Sequence, residues 1–207
     1  SSRRRHTRYG TVTGVQTCAL PILGTTYWRA EAHSDIFLMI EQASTNWHKD
    51  LKSHGVKIGV IFALSADDEK PAVKHGGYPA IACVKLVTGK DKVSKDYEVE
   101  MLVDASAWRS LSSESKLAVI DHELAHVVIK KRKIKKKKND VKQDDGTPPE
   151  EEVVFDDRNR PVLKLKKADW NVGDGFADVV ARHGQNAVEY LNIKQAEQMA
   201  SQAMKND

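Results

Sequence analysis

The sequence has no apolar run long enough to cross a membrane, and this absence removes one class of function at the outset. A membrane-spanning helix needs about 20 consecutive apolar residues, whereas the longest apolar segments, near Ile36–Ile40 and Ile58–Leu64, are the size of core elements. Aromatic residues make up only 6% of the 207 residues, apolar residues 40% and charged residues 30%. This balance is typical of a water-soluble chain with one core of ordinary size, so we expect no membrane partner.

The chain is also poor in cysteine, with Cys18 and Cys83 as its two thiols. Cys18 lies in a run, Val12 to Ile22, that resembles the translation of a common sequencing-library adapter. We therefore expect residues 1–23 to be a cloning or assembly artefact outside the fold, and residues 24–207 to form a single domain. Cys83 alone then remains, which excludes a disulfide framework and suggests either a reducing compartment or simple core packing of the thiol.

The chain also lacks a large net charge of either sign. The formal net charge of +4 comes entirely from the four arginines among the first eight residues, so the remaining chain is neutral. Within it, eight of the nine residues of Lys130–Lys138 are basic, and an acidic stretch follows through Glu152. Segregated charge with few apolar residues is typical of a flexible surface insertion, which we place at residues 130–152. The lysines could also hold a nucleic-acid backbone, but the acidic stretch can neutralise them, which makes this the weaker interpretation.

Hydrophobic periodicity predicts an α+β arrangement. Apolar residues recur at three- and four-residue steps within Tyr27–Lys52 and predict a helix that Gly55 ends. Three runs rich in Val and Ile predict strands, at Val56–Leu64, Ala80–Val87 and Tyr97–Val103. In the last run glutamates alternate with apolar residues, which predicts one buried face and one wetter face.

The best-marked element is a helix that starts at Ser112 or Ser113 and continues without Gly or Pro through Lys131. A serine N-cap, with Glu114 in the first turn, stabilises the positive end of such a helix. Beyond the insertion, the pattern predicts a hairpin formed by Val153–Phe155 and Pro161–Leu165, which turns at Asp156–Arg160. It also predicts a helix at Gly175–His183 and a final amphipathic helix at Ala187–Met204.

Within the helix that follows Ser112, the run His122-Glu-Leu-Ala-His126 carries the clearest chemical signal. Histidines four residues apart lie one turn apart on the same helical face, so both can bind one zinc ion. Zinc with an open coordination position lowers the pKa of a bound water to about 7 and polarises a carbonyl, and peptide-bond hydrolysis needs both effects. Glu123 lies about 100° further around the helix, where its carboxylate can take the proton of that water as a general base. The sequence therefore predicts zinc-dependent peptide hydrolysis, with His122 and His126 as metal ligands.

The motif and its surroundings resemble a known family. The resemblance covers about Val56 to Gly184, with Asp121-His-Glu-Leu-Ala-His-Val127 at its centre and the runs Val162–Trp170 and Gly175–Gly184 downstream. The family is that of the putative phage metallopeptidases, with a more distant similarity to SprT-like zincins. It implies a minimal zincin-like domain, in which a small mixed or antiparallel sheet packs on the motif helix between flanking helices. It also implies protein or peptide substrates and a phage- or prophage-encoded protein, which we expect in the cytoplasm of a bacterial host.

The third zinc ligand is where the sequence departs from the SprT-like pattern, which has a histidine shortly before a helix carrying Phe. The corresponding stretch here has none, and Asp169 is the first substitute because aspartate oxygens also bind zinc. Asp174 is the alternative, although it fits equally well as a helix N-cap. Asp121 is expected to face solvent, because adjacent helical residues do not face each other. Four other histidines are interpreted as structural: His48, His54, His75 and His183.

A second function, from a different class, fits the same sequence. The missing third histidine and the basic run at Lys130–Lys138 are also compatible with a zinc-containing module that binds DNA or protein and has a weak or silent peptidase site. The motif itself favours the peptidase.

Overall fold

The computed structural model describes residues 24–67, 70–134, 151–167 and 176–190, and these form an α+β fold as predicted. The helices are α1 (Asp35–Asn46), α2 (Lys49–Ser53), α3 (Asp91–Ser94), α4 (Ala105–Arg109), α5 (Ser113–Ala125) and α6 (Ala177–His183), the last followed by a 3-10 turn at Gly184–Asn186. The strands are β1 (Thr25–Arg29), β2 (Ile58–Ser65), β3 (Lys74–His75), β4 (Tyr78–Pro79), β5 (Ala82–Leu86), β6 (Val99–Asp104), β7 (Val127–Ile129), β8 (Lys131–Lys133), β9 (Glu151–Val153) and β10 (Leu163–Leu165). None of the described helices combines the length and apolar character that a membrane crossing requires.

Four strands form a mixed sheet in the order β1-β2-β6-β5. The β2–β6 pair is parallel, whereas β1 and β5 run antiparallel to their neighbours. Helices α1 and α5 pack against each other, and α5 also contacts β5 at the edge of the sheet. Aliphatic side chains from both helices and the two central strands fill the core: Ile36, Ile40, Val60, Met101, Ile120 and Leu124. The motif helix therefore lies against an edge strand, an arrangement compatible with a small zincin-like domain.

The first predicted helix starts later than its sequence pattern indicated. Residues from Tyr27 to Arg29 belong to β1, and helix α1 begins only at Asp35. The segment Thr25-Thr-Tyr-Trp28 consists of residues that favour strands, and Tyr27 pairs with Ala63 of β2. Sheet pairing therefore overrides the helical spacing in this segment.

The prediction of a wetter face on β6 is wrong. Glu100 is 2% exposed, and Glu98, just before the strand, is 8% exposed, so the side expected to be wet is covered. Glu100 forms ion pairs with Lys85, directly opposite it on β5, and with Lys95, and it accepts a hydrogen bond of 2.7 Å from the Tyr97 hydroxyl. Burial raises the pKa of Glu100, but these three partners outweigh it and hold the pKa at about 2. Paired charge explains how acidic residues occupy a buried strand.

Helix α5 is shorter than predicted, because the chain leaves the helix after Ala125 and enters β7 at Val127. Three consecutive β-branched residues favour this strand, and it pairs antiparallel with β10. The predicted N-cap is confirmed, since the Ser112 hydroxyl accepts the Ser115 N–H at 3.1 Å. As a result, His126 lies at the junction between the helix and a strand.

The insertion predicted at residues 130–152 begins and ends in strands. β8 pairs antiparallel with β9, and Arg132 forms an ion pair with Glu152 across the two strands. Opposite charges on facing strands stabilise this ribbon, so the acidic stretch does fold back on the basic one at its ends. Residues 135–150 between the strands lie outside the described residues.

The predicted hairpin is confirmed, with Phe155 bridged to Pro161 around a turn in which Asn159 has a φ of 56°. Its second arm continues into β10, which pairs with β7. The prediction of a helix ending at Gly184 is also confirmed, and Gly184 adopts a φ of 53° there. Helical backbone resumes at residues 188–190, where the description stops. Both residues 1–23 and the remainder of the predicted final helix lie outside the described residues.

Candidate metal centre

Helix α5 brings the two motif histidines together. His122 lies in its last turn, and His126 is its C-cap residue, still in the right-handed helical region. The two imidazole centroids are 5.2 Å apart and the rings are inclined at 74°. One potential ligand atom from each of His122, Glu123 and His126 lies within 4.8 Å of the other two. A single metal ion can be reached from all three side chains at this spacing.

The imidazole rings of His122 and His126 each form a hydrogen bond through Nδ1. Nδ1 of His126 lies 3.0 Å from the carbonyl oxygen of Lys166, and since a carbonyl only accepts, this nitrogen carries the proton. The Lys166 N–H also donates to the His126 carbonyl at 2.7 Å, so the end of β10 fixes this histidine from two sides. Nδ1 of His122 lies 2.8 Å from Oε1 of Glu189. Acceptors at both Nδ1 atoms leave the Nε2 lone pairs for a metal, an arrangement typical of zinc-binding histidines.

The two histidines differ in how their surroundings affect protonation. Burial lowers the pKa of His126, and the hydrogen bond to the Lys166 carbonyl only partly opposes this. Burial also disfavours protonated His122, but the hydrogen bond to Glu189 and the charge of Glu123 outweigh it, so the pKa of His122 is raised. Only the neutral imidazole binds a metal, and the surroundings of His126 favour that form.

Glu123 is the buried acid of the motif, with 6% of its surface exposed. Removal from water raises its pKa to about 7, against the opposing effects of nearby His122 and of the Val84 N–H, which donates to it from β5. A pKa near neutrality is the range in which a carboxylate acts best as a general base.

Phe176 closes one side of the site. Its ring centroid lies 4.4 Å from that of His122 and 4.8 Å from that of His126. The side chain is 5% exposed and belongs to the residue immediately before α6. The start of α6 therefore supplies an apolar wall that keeps water away from part of both imidazoles.

The three motif residues line a cavity of about 620 Å³, together with Phe176 and Glu189. Its other walls come from the β3–β4 hairpin, β5 and the end of β10, and they are mainly apolar. Pockets that bind small ligands in proteins typically have volumes of roughly 300 to 1,000 Å³. His75, which sequence reasoning treated as structural, lines this cavity as well.

Cys83 of β5 also lines the cavity. Burial, followed by the negative charge of Glu123, raises the pKa of this thiol to about 11. The thiol therefore stays protonated at neutral pH, which makes Cys83 part of the wall and a poor metal ligand.

Comparison with protein-family models decides the classification. The model described as putative phage metallopeptidase matches residues 27–203, which is most of the chain. The chain belongs to this family. A search of curated proteins finds no match, and a search of solved structures finds none. Membership confirms the resemblance to the putative phage metallopeptidases and implies a metal ion, and the two imidazoles, whose Nε2 atoms are available, fit one.

Asp121, next to the motif, is fully buried, contrary to the expectation that it faces solvent. Arg182 donates to both of its oxygens, at 2.8 and 3.0 Å, and two histidines bond to it, His48 at 2.6 Å and His183 at 2.9 Å. The error arose because Asp121 points to a different side of α5 from His122, where it meets the end of α6 and His48, the residue that precedes α2. Burial raises the pKa of Asp121, but His48 and Arg182 outweigh this effect and hold the pKa below its ordinary value.

The predicted third ligand, Asp169, and its alternative, Asp174, lie outside the described residues. Within the described part of this chain, the group that could share a metal ion consists of His122, Glu123 and His126. Two further residues of the site, Phe176 and Glu189, were missed by sequence reasoning. Both reach the motif through tertiary packing, and Glu189 follows His122 by 67 positions.

Proposed function

We propose that this chain is a zinc-dependent metallopeptidase in which His122 and His126 hold the ion and Glu123 acts as the general base. The observation that carries the proposal is the arrangement of the motif itself. Its three potential ligand atoms lie within 4.8 Å of one another, beside a cavity of about 620 Å³. Membership of a phage metallopeptidase family supports the same reaction class and a phage- or prophage-encoded protein.

Zinc suits this donor set, because imidazole nitrogens and a carboxylate oxygen are common zinc ligands. When bound, zinc supplies a polarised substrate carbonyl and a water of lowered pKa. Asp169 remains our proposal for the third ligand, with Asp174 as the alternative. Lys167 and Phe176, the described residues that precede and follow this stretch of the sequence, both line the cavity.

Glu123 takes the proton of the attacking water and delivers it to the amine that leaves. Its carboxylate is buried beside the cavity, and the Val84 N–H restrains it from the edge strand. General base catalysis of this kind contributes a factor of about 100 to 10,000. The mainly apolar walls of the cavity support a protein or peptide substrate that presents apolar side chains there.

The test is hydrolysis of a quenched fluorescent casein and a mixed-sequence peptide library by the zinc-loaded chain. Glu123→Gln keeps the size of the side chain but removes the base, so we expect at least about a 100-fold loss of rate with zinc content unchanged. Glu152→Gln is the matched control, because Glu152 lies in the β8–β9 ribbon and pairs with Arg132. Full activity in Glu123→Gln would contradict the assigned role, and zinc binding without hydrolysis of any probe would favour the zinc-containing binding module.

A further inference from the structure

Glu189 occupies a position that the peptidase motif alone does not explain. It lies after α6 and the 3-10 turn, where helical backbone resumes, and 9% of its surface is exposed. The carboxylate lines the same cavity as the motif residues. A buried carboxylate normally has a specific partner, because removing its charge from water is unfavourable.

The partner of Glu189 is His122, one of the two proposed metal ligands. Its Oε1 lies 2.8 Å from Nδ1 of His122, while its Oε2 is buried without a hydrogen-bond partner among the residues described. A hydrogen bond to a charged acceptor is about twice as strong as one to a neutral acceptor. The contact therefore determines both the orientation of the His122 ring and the position of its proton.

Direct ligation by Glu189 fits the geometry less well. Within the described chain, the cluster whose ligand atoms could share an ion holds His122, Glu123 and His126, and Glu189 is outside it. The carboxylate binds the nitrogen of His122 that faces away from a metal on Nε2. His126 has the same arrangement, with the Lys166 carbonyl as its acceptor.

We infer that Glu189 is a positioning residue, which keeps the His122 proton on Nδ1 and thereby presents Nε2 to the metal. This inference rests on the proposed function for its purpose, whereas the contact with His122 is a feature of the fold itself. Glu189 thus accepts the Nδ1–H of His122, just as the Lys166 carbonyl accepts the Nδ1–H of His126.

The fold anchors the segment that carries Glu189 close to α5. Arg182 and His183, at the end of α6, bind Asp121, the residue before His122. Ala187 is fully buried, and Asn186 accepts a hydrogen bond from Ser115 of α5 at 3.4 Å. These contacts hold the backbone on both sides of the turn, so the carboxylate reaches His122 from a fixed position.

Zinc affinity gives the first measurement. Glu189→Ala removes the acceptor, and losses of such partners of metal-bound histidines weaken metal binding by about 10- to 100-fold. Glu189→Gln retains a neutral amide oxygen that accepts from Nδ1–H, so we expect it to recover most of that loss. Tyr190→Ala is the control, because Tyr190 is the adjacent residue and 48% exposed. Its affinity should equal that of the unmodified chain.

The deciding measurement is nitrogen NMR of the imidazoles in the full metal-free chain, at a pH where His122 is neutral. The unmodified chain and Glu189→Gln should show His122 protonated at Nδ1, whereas Glu189→Ala should show a mixture with the proton on Nε2. An unchanged Nδ1–H population in Glu189→Ala would overturn the inference. Because neither metal nor substrate is present, this result is independent of whether the chain proves to be a peptidase.

A third measurement keeps the inference testable if Glu189→Ala does not fold. The visible spectrum of the cobalt-substituted protein reports the atoms bound to the metal. A positioning role predicts the same absorption bands in the unmodified chain and in Glu189→Gln. Bands that change their position and intensity in Glu189→Gln would make Glu189 a ligand and would overturn the positioning role.

Discussion

At the scale of single residues, Phe176 shows how much of the site lies outside the motif. Its ring packs on both imidazoles, with centroid distances of 4.4 and 4.8 Å, and is almost fully buried. Its apolar surface stabilises the fold, and its contacts restrict the rotation of the His122 and His126 rings. A single side chain therefore links the packing of α6 to the geometry of the site.

Replacement of Phe176 measures how much the packing of its ring stabilises the fold. Phe176→Ala should lower the free energy of unfolding of the metal-free protein by about 3 kcal/mol, because it leaves a cavity between the two histidines. Phe176→Leu retains most of the apolar volume and should lower it by roughly 1 kcal/mol. Urea unfolding measures both values. Equal stability of Phe176→Ala and the unmodified chain would show that the ring does not pack as described.

Asp121 leads to a second prediction. Asp121→Ala leaves the cation Arg182 without its carboxylate and removes the acceptor shared by His48 and His183, so we expect a loss of about 3 kcal/mol in unfolding free energy. Asp178→Ala is the matched control, since Asp178 is an exposed acid in the first turn of α6. Chemical denaturation of the two variants should differ clearly, and equal stabilities would contradict the structural role of Asp121.

From the sequence, only the site residues that lie on a single helix could be predicted. His122, Glu123 and His126 have a fixed spacing on α5, so their proximity follows from helical geometry. Phe176 and Glu189 approach them through tertiary packing, which no local pattern encodes. Asp121 was misjudged for the same reason, because a neighbour sixty or so positions away determines its burial.

At the scale of elements, α5 depends on both of its ends. The N-terminal end is capped by Ser112, and the C-terminal end passes directly into β7, which pairs with β10. The second connection places the Lys166 carbonyl at His126. The strand that cut the predicted helix short therefore also orients a metal ligand.

The cap of α5 gives a third prediction. Ser112→Ala removes the acceptor of the Ser115 N–H and should lower the free energy of unfolding by about 1 kcal/mol. Ser112→Asp retains an acceptor and suits the positive end of the helix, so its stability should match that of the unmodified chain or exceed it. Thermal unfolding compares the three proteins. A Ser112→Asp variant less stable than Ser112→Ala would contradict the capping role.

Element types were more predictable than element boundaries. Runs of β-branched residues identified β2, β5 and β6, and the Asp156–Arg160 turn identified the hairpin. The boundaries of α1 and α5 were wrong because β1 and β7 gain their stability from strands far away in the sequence, β2 and β10.

At the scale of the whole molecule, buried charge makes stability depend on pH. The pKa of Glu100 in the folded protein is about 2, below its ordinary value of about 4.3, because Lys85, Lys95 and Tyr97 favour the charged form. A carboxyl group whose pKa is lower in the folded state stabilises the fold above its unfolded pKa. That contribution is lost as the pH falls through the folded pKa.

We therefore expect the unfolding free energy to fall between about pH 4.5 and pH 2. Glu100→Gln, which cannot ionise, should show a shallower decrease over the same range, although it is less stable at neutral pH. Urea unfolding at several pH values measures both slopes. If the unfolding free energy falls equally steeply with pH in both proteins, Glu100 is not the cause of the pH dependence.

The central claim is our proposal that this chain binds zinc through α5, and zinc stoichiometry tests it most directly. We would measure zinc content, after metal loading and dialysis, in the chain, His122→Ala, His126→Ala and Glu123→Gln. The account predicts about one zinc per chain in the unmodified protein and in Glu123→Gln, and none in the two histidine variants. Zinc that is absent from the folded, unmodified chain, or that persists in both histidine variants, would contradict it.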